Sequence, residues 1–172
     1  NDPYAPIPGA LLEQGCAAGF TLTNVDSTLV WLSQNANGRG MVQRSNGYTP
    51  QRISTHAVEF AIQGYDTISD AVAFDYQQDG HSFYVLNFPT ADATWVYDTS
   101  TGLWHERGYW DINNSEFTRY RAQYACSCFD LTLVGDPETG TVYSLTSASS
   151  EDVDGAMIRR VRRAPHSWDG GN

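Results

Sequence analysis

The residues best suited to chemistry gather around His81 and His105, with Asp79, Asp98 and Glu106 close to them in the chain. Imidazoles beside carboxylates can do acid–base work or hold a metal ion. No nucleophile and no metal-ligand spacing accompanies them, so they read better as polar residues on a hairpin rim. Cys126 and Cys128 put two thiols on one strand face, about 7 Å apart. Zinc needs two further ligands at fitting spacing, and none stands out; small buried cysteines are expected instead. Trp95, Trp104 and Trp110 could form a sugar-stacking shelf, although packing between strands is the commoner use. The one basic cluster is Ile158-Arg-Arg-Val-Arg-Arg163. As a strand it shows Arg160 and Arg162 on one side, Arg159 and Arg163 on the other. Guanidinium forks take phosphate and carboxylate alike, so these four arginines are the candidate contact for a phosphate or an acidic partner. The competing reading is an outer strand paired with its own acidic stretch, residues 151–154.

The elements that must position these groups are short strands. Ala71 to Arg107 reads as a four-stranded antiparallel meander. Asp79-Gly80 separates two alternating runs, a strong hairpin signal. The run His81 to Phe88 is largely apolar on both faces, which predicts a strand buried on both sides. Pro89 closes it. Asp98-Thr-Ser-Thr-Gly102 predicts a turn in which the carboxylate accepts backbone amides and Gly102 supplies a positive φ. Asp136-Pro-Glu-Thr-Gly140 repeats that form, so Asp98, Gly102, Asp136 and Gly140 are expected to be structural turn residues. Asn35 to Gly38 is a weaker echo.

This repetition divides the chain into an extended lead-in (1–15), a first blade (16–53), a helical connector (54–70), a second blade (71–107), a third blade (108–166) and a tail (167–172). In the first blade Ala18 to Thr23, Thr28 to Gln34, Met41 to Arg44 and Tyr48 to Ile53 read as strands. The connector is the best helix candidate, capped by Ser54 or Thr55, with Val58, Ala61, Ile62 and Tyr65 as its apolar stripe. In the third, Gly108 to Glu116 reads as a loop, Thr118 to Phe129 as one long or bulged strand, followed by Leu131 to Gly135, Thr141 to Thr146 and Ala156 to Ala164. The expected fold is all-β: about three four-stranded, propeller-like antiparallel meanders with one short helix between the first two. Three blades rarely close a ring alone. Blades are missing, or copies associate, or the strands form another open β architecture.

Composition agrees with a β fold: 172 residues, with Trp 5, Tyr 10 and Phe 7, and no lysine. The net charge of −10 argues against broad nucleic-acid binding through overall charge. Three cysteines form no disulfide framework and suit a reducing compartment. No apolar run approaches a membrane span of about 20 residues. The start has neither a signal-peptide pattern nor an initiator Met, and reads as an excised or processed piece.

Longer stretches carry a family likeness: Val30 to Ser33, Asn46 to Glu59, Tyr76 to Leu86, Phe88-Pro-Thr90, Thr94 to Asp98, Leu103 to Arg107, Val134-Gly-Asp136 and Ile158 to His166. With these the chain resembles the packaged-DNA stabilisation or tail accessory (hub) proteins of short-tailed double-stranded DNA phages. The resemblance implies a non-enzymatic virion protein without cofactor, made in the host bacterial cytoplasm and residing in the tail or head–tail junction. It implies assembly as a homo-oligomeric ring on portal, adaptor and tail proteins, at most non-specific proximity to packaged DNA, and no membrane partner. The alternative is a carbohydrate-binding or glycan-processing propeller using the tryptophans and nearby carboxylates.

Overall fold

The computed structural model describes residues 14–36, 38–149 and 151. The fold is all-β, built of antiparallel sheets stacked as propeller-like blades. The first sheet holds β1 (Gly15–Cys16), β2 (Thr23–Val25), β3 (Thr28–Asn35), β4 (Gly38–Asn46) and β5 (Thr49–Arg52). β1 and β2 both pair with β3, through Ser33–Gln34 and Thr28–Val30 respectively, so together they occupy one strand position. The expected strand over Ala18–Thr23 is therefore interrupted. A 3-10 turn, Gly19–Thr21, stands in its middle. The cause is Thr21: its hydroxyl donates to the Ala18 carbonyl at 2.6 Å and accepts the Leu32 amide at 3.1 Å. A side chain thus supplies the partner that a ladder would have supplied.

Helix α1 (His56–Gln63) follows, with Thr55 at its N-cap accepting the Val58 amide. Val58 and Ile62 are buried against the first sheet. Gly40 in β4 permits this approach. Its φ is +83°, and a Cβ there would lie 2.7 Å from Ile62 Cγ2. The second sheet runs β6 (Val72–Gln78), β7 (His81–Phe88), β8 (Ala93–Asp98), β9 (Leu103–Glu106), in sequence order. β7 is buried on both faces, as its composition predicts. Tyr84, Leu86 and Phe88 enter one core with Val30, Leu32, Val42 and α1; Val85 enters another with Phe74, Tyr76, Val96 and Val134. Each core is the seam between two sheets.

Residues 108–116, expected to be a loop, instead belong to a two-stranded hairpin, β10 (Gly108–Asp111) and β11 (Glu116–Arg119). Gly108 lets the strands close, since a Cβ there would sit 2.4 Å from the Thr118 carbonyl oxygen. The expected long strand Thr118–Phe129 is broken at residues 120–123. There, side chains of the second sheet take hold: Asn87 donates to the Ala122 carbonyl at 3.0 Å, and Thr94 Oγ1 accepts the Tyr120 amide at 3.0 Å. The third sheet is β12 (Tyr124–Cys128), β13 (Leu131–Gly135), β14 (Val142–Leu145). The first strands of successive sheets lie side by side, β6 touching β2 on one flank and β12 on the other. The lead-in over 1–13, the fourth strand expected at Ala156–Ala164 and the tail at 167–172 lie outside the described residues.

Candidate functional site

Asp98 organises the best-connected polar site. Its backbone carbonyl accepts the Gly102 amide at 2.8 Å, closing the turn, and Gly102 has φ +69°. Its Oδ1 accepts the Ser100 amide at 2.9 Å; its Oδ2 accepts the Thr101 hydroxyl at 2.8 Å and faces His81 Nδ1 at 2.8 Å. Burial alone would push the Asp98 carboxyl upward, but the Thr101 hydroxyl, His81 and the Ser100 amide outweigh it and hold the group below its ordinary range. Beside it Asp26, on the β2–β3 turn, accepts the Ser82 hydroxyl at 2.7 Å and the Thr99 hydroxyl at 2.5 Å. These two bonds lower the Asp26 carboxyl and tie the first sheet to the second.

Asp136 repeats the arrangement. Its carbonyl accepts the Gly140 amide at 2.9 Å; Oδ1 accepts the Glu138 amide at 2.8 Å, and Oδ2 accepts the Thr139 hydroxyl at 3.0 Å. The Arg121 guanidinium, 2.9 Å from Oδ2, takes the place that His81 holds in the first turn. Burial opposes ionisation here too, and the Glu138 amide, Thr139 hydroxyl and Arg121 charge together lower the carboxyl. A third turn of this kind closes the β10–β11 hairpin. Asp111 accepts the Asn113 amide at 2.8 Å and the Asn114 side-chain amide at 2.8 Å, and Ser115 takes the positive φ, +56°. The sequence signal was present as Asp-x-x-Asn-Ser; Asn and Ser replace the Thr and Gly of the other two copies.

The two Asp-x-x-Thr-Gly turns do not occupy equivalent joints. Asp98 links the third strand of its sheet to the fourth, whereas Asp136 links the second strand to the third. In an antiparallel meander these joints lie at opposite ends of the sheet. The joint common to all three sheets is the two-residue turn after the first strand. Asp26-Ser27, Asp79-Gly80 and Phe129-Asp130 all have positive φ, the type I′ pattern of tight hairpins.

Two arginines pack on aromatic rings at the chain segment that joins the second sheet to the third. Arg107 donates to the Tyr76 hydroxyl at 2.6 Å and lies over the Tyr76, Phe83 and Tyr120 rings at 5.7, 5.8 and 5.4 Å. Arg121 lies 4.9 Å over the Tyr109 ring. Cation–π contacts of this kind contribute about 0.5–2 kcal/mol each, more where water is excluded.

Several candidate groups are spent in the fold. The Ser82 and Thr99 hydroxyls next to the His81–Asp98 pair donate to Asp26. His105 meets the edge of Phe83 and lies 3.4 Å from Arg107. Asp79 sits in the tight turn, and Glu106 pairs in register with Trp95 on the outer strand. The Trp95 indole donates to the Tyr65 hydroxyl at 3.0 Å and the Trp104 indole to the Ile53 carbonyl at 2.9 Å. Both rings pack on the first core, while Trp110 is half-buried in the hairpin. Cys126 is exposed and Cys128 half-exposed, contrary to the expectation of buried thiols. Their strand belongs to the last described sheet, and they point away from the second. Among the described residues no group of three His, Cys, Asp or Glu side chains could hold a metal ion, and no helix is long and apolar enough to cross a membrane. The basic cluster Arg159, Arg160, Arg162 and Arg163 lies outside the described residues.

The family model Phage_stabilise, described as "Bacteriophage P22 Gp10, beta-propeller", matches residues 1–150. No curated protein matches the chain.

Proposed function

We propose, from the premise that this chain belongs to the bacteriophage P22 Gp10 β-propeller family, that it works through its surfaces in closing the head–tail junction of a phage particle. Membership makes it a phage structural protein with a DNA-stabilising role, assembling with other virion proteins. The finer reading is that it assembles as a homo-oligomeric ring at the portal once DNA is packaged, helps close the channel, and bridges portal or adaptor to distal tail parts, without catalysis. The single observation that carries it is the family match over residues 1–150. Two features of the site are compatible with a scaffold: its best-connected carboxylates accept their own turns, and the hydroxyls nearest to His81 are engaged by Asp26. A net charge of −10 suits a channel wall that does not grip DNA. Arg159, Arg160, Arg162 and Arg163 are the proposed contact with carboxylates of a neighbouring virion protein.

The test is assembly on DNA-filled particles stopped before tail addition. The chain should co-sediment with particles that carry portals, appear by imaging at the portal vertex, and slow DNA loss. Replacement of the four arginines by serine should weaken that binding. Binding spread over the capsid shell, or none to portal-bearing particles, would overturn the reading.

A further inference from the structure

An asparagine followed by glycine can be attacked by its own main chain, because glycine has no Cβ to hinder the approach. Among the described residues one such pair occurs, Asn46-Gly47, between β4 and β5. It stands at a two-residue turn: Asn46 pairs with Thr49, and Gly47 and Tyr48 make the loop. Gly47 has φ +60° and Tyr48 has no positive φ, the type II′ pattern. The amide of the first loop residue lies outside the ladder in such a turn, and the Gly47 nitrogen bonds no other backbone group among the described residues. A Cβ on Gly47 would meet nothing within 4 Å, and Asn46 and Gly47 are both exposed. Nothing among the described residues holds the Asn46 carboxamide. The other described asparagines are placed differently. Asn24 precedes the branched Val25, and Asn35 donates to Gln14. Asn87 is fully buried with both ends of its carboxamide bonded, and Asn113 and Asn114 are wrapped on the Asp111 carboxylate.

We propose that Asn46 is a site of self-modification, at which the Gly47 backbone nitrogen closes on the Asn46 side chain and converts it to aspartate and isoaspartate. The Gly47 nitrogen gives up its proton and bonds to Asn46 Cγ. The Cγ–Nδ2 bond breaks, and ammonia leaves with that proton. Solvent water then opens the succinimide ring that remains. Breaking the ring nitrogen from Cγ gives aspartate. Breaking it from the main-chain carbonyl carbon gives isoaspartate, whose backbone runs through the former side chain. Ring closure requires Asn46 to leave its extended conformation, and the hairpin end allows this. β5 is the outermost described strand of its sheet, four residues long with three exposed, and such ends open at little cost. Either product adds one negative charge to a net −10. Isoaspartate also lengthens the main chain at the pair that closes the hairpin, so the pairing of Asn46 with Thr49 is lost first. β5 ends in Arg52, whose guanidinium holds the Glu59 carboxylate of α1, so the loosening reaches the helix. This chemistry is independent of the virion role above, and either can fail without the other.

The test is ageing of the whole folded chain at neutral and at mildly alkaline pH, beside the same chain unfolded in urea. Trypsin cuts after Arg44 and Arg52 and releases residues 45–52, which hold one asparagine and are separated from Asn37. Mass spectrometry reads the change from amide to carboxylate, and labelling by isoaspartyl methyltransferase reads the rearranged backbone. In the folded chain this fragment should convert several-fold faster than the fragments that carry Asn87, Asn113 and Asn114. Conversion should quicken at the higher pH, with isoaspartate among the products. Asn46→Gln, which would have to close a larger ring, should leave the fragment unmodified. Hydrogen exchange should quicken over Thr49–Arg52 in the aged wild type and not in that variant. A fragment left intact in the folded chain overturns the proposal; its conversion in urea would then show that the turn holds Asn46 extended. Conversion of the folded chain without isoaspartate also overturns it, since that would mean direct hydrolysis of the side chain.

Discussion

Removal of the Asp136 carboxylate should unfasten the third sheet. Asp136 is 3% exposed and accepts the amide of Glu138, the hydroxyl of Thr139 and the charge of Arg121, whose side chain is 15% exposed. In Asp136→Ala the Glu138 and Thr139 groups regain water, because both residues are exposed. Arg121 does not; it keeps its contacts with Tyr109 and Glu138 but loses the buried carboxylate, and that loss dominates. One neutral hydrogen bond contributes about 1 kcal/mol, and breaking a buried ion pair costs about 3–5 kcal/mol. Allowing for partial solvation of Arg121, the net is about 3 kcal/mol. For a chain of this size that lowers Tm by about 6–12 °C. The folded carboxyl titrates below its unfolded value near pH 4, so its contribution is complete above that pH and disappears as pH falls through the lower folded value. The gap between wild type and variant, followed by calorimetry and urea denaturation from pH 7 to pH 3, should therefore shrink on acidification. Asp111→Ala removes the same turn geometry from an open site and should cost less. If Asp136→Ala costs no more than Asp111→Ala, or the gap ignores pH, the ion pair is not what holds this turn.

Gly40→Ala should destabilise by about 2–4 kcal/mol in urea denaturation, because the new methyl meets Ile62 Cγ2 at 2.7 Å and the backbone stands at φ +83°; a neutral result would mean that α1 is not seated on β4 as described. Arg107→Met should cost about 1–2 kcal/mol by losing the Tyr76 hydrogen bond and three ring contacts, with Arg107→Lys intermediate; equal melting of all three proteins would refute a role of Arg107 in holding Tyr120 against the second sheet. Phe129→Asn should raise stability by about 0.5–1 kcal/mol, since the ring is 89% exposed at φ +52°, where asparagine is at ease; a loss of stability would show that the ring covers something.

The second sheet was legible because its signals are local. Asp79-Gly80 announces a type I′ turn, the double-faced apolar run of β7 announces burial on both sides, and Pro89 marks its end. The helix was legible for the same reason, although Ser54, an eligible cap, instead accepts the Val42 amide and donates to Glu59. What stayed hidden depends on partners distant in sequence. Nothing near Thr21 says that it will bond Leu32 and break its strand. Nothing near residue 122 says that Asn87 will capture its carbonyl. The hairpin at residues 108–119 was hidden for a different reason. Its turn uses Asn114 and Ser115 where the recognised copies use Thr and Gly, and a rule written on residue names missed a rule written on acceptors.

The same distinction explains how far the internal repeat can be trusted. Asp-x-x-Thr-Gly is a solution to a local problem, a tight turn in which a carboxylate satisfies amides that water would otherwise take. Any sheet can use it at any joint, and this chain uses it at two inequivalent ones. Its recurrence correctly announces repeated antiparallel meanders and gives the wrong register between them. The type I′ joint is under a stronger constraint. It must turn the first strand back on its neighbour with the right-handed twist of the sheet, which in two residues takes a primed turn, and all three copies here are of the kind with positive φ at both residues. That geometry is kept in all three sheets while its residues change from Asp-Ser to Asp-Gly to Phe-Asp. Backbone conformation, not side-chain identity, is the conserved element of this repeat.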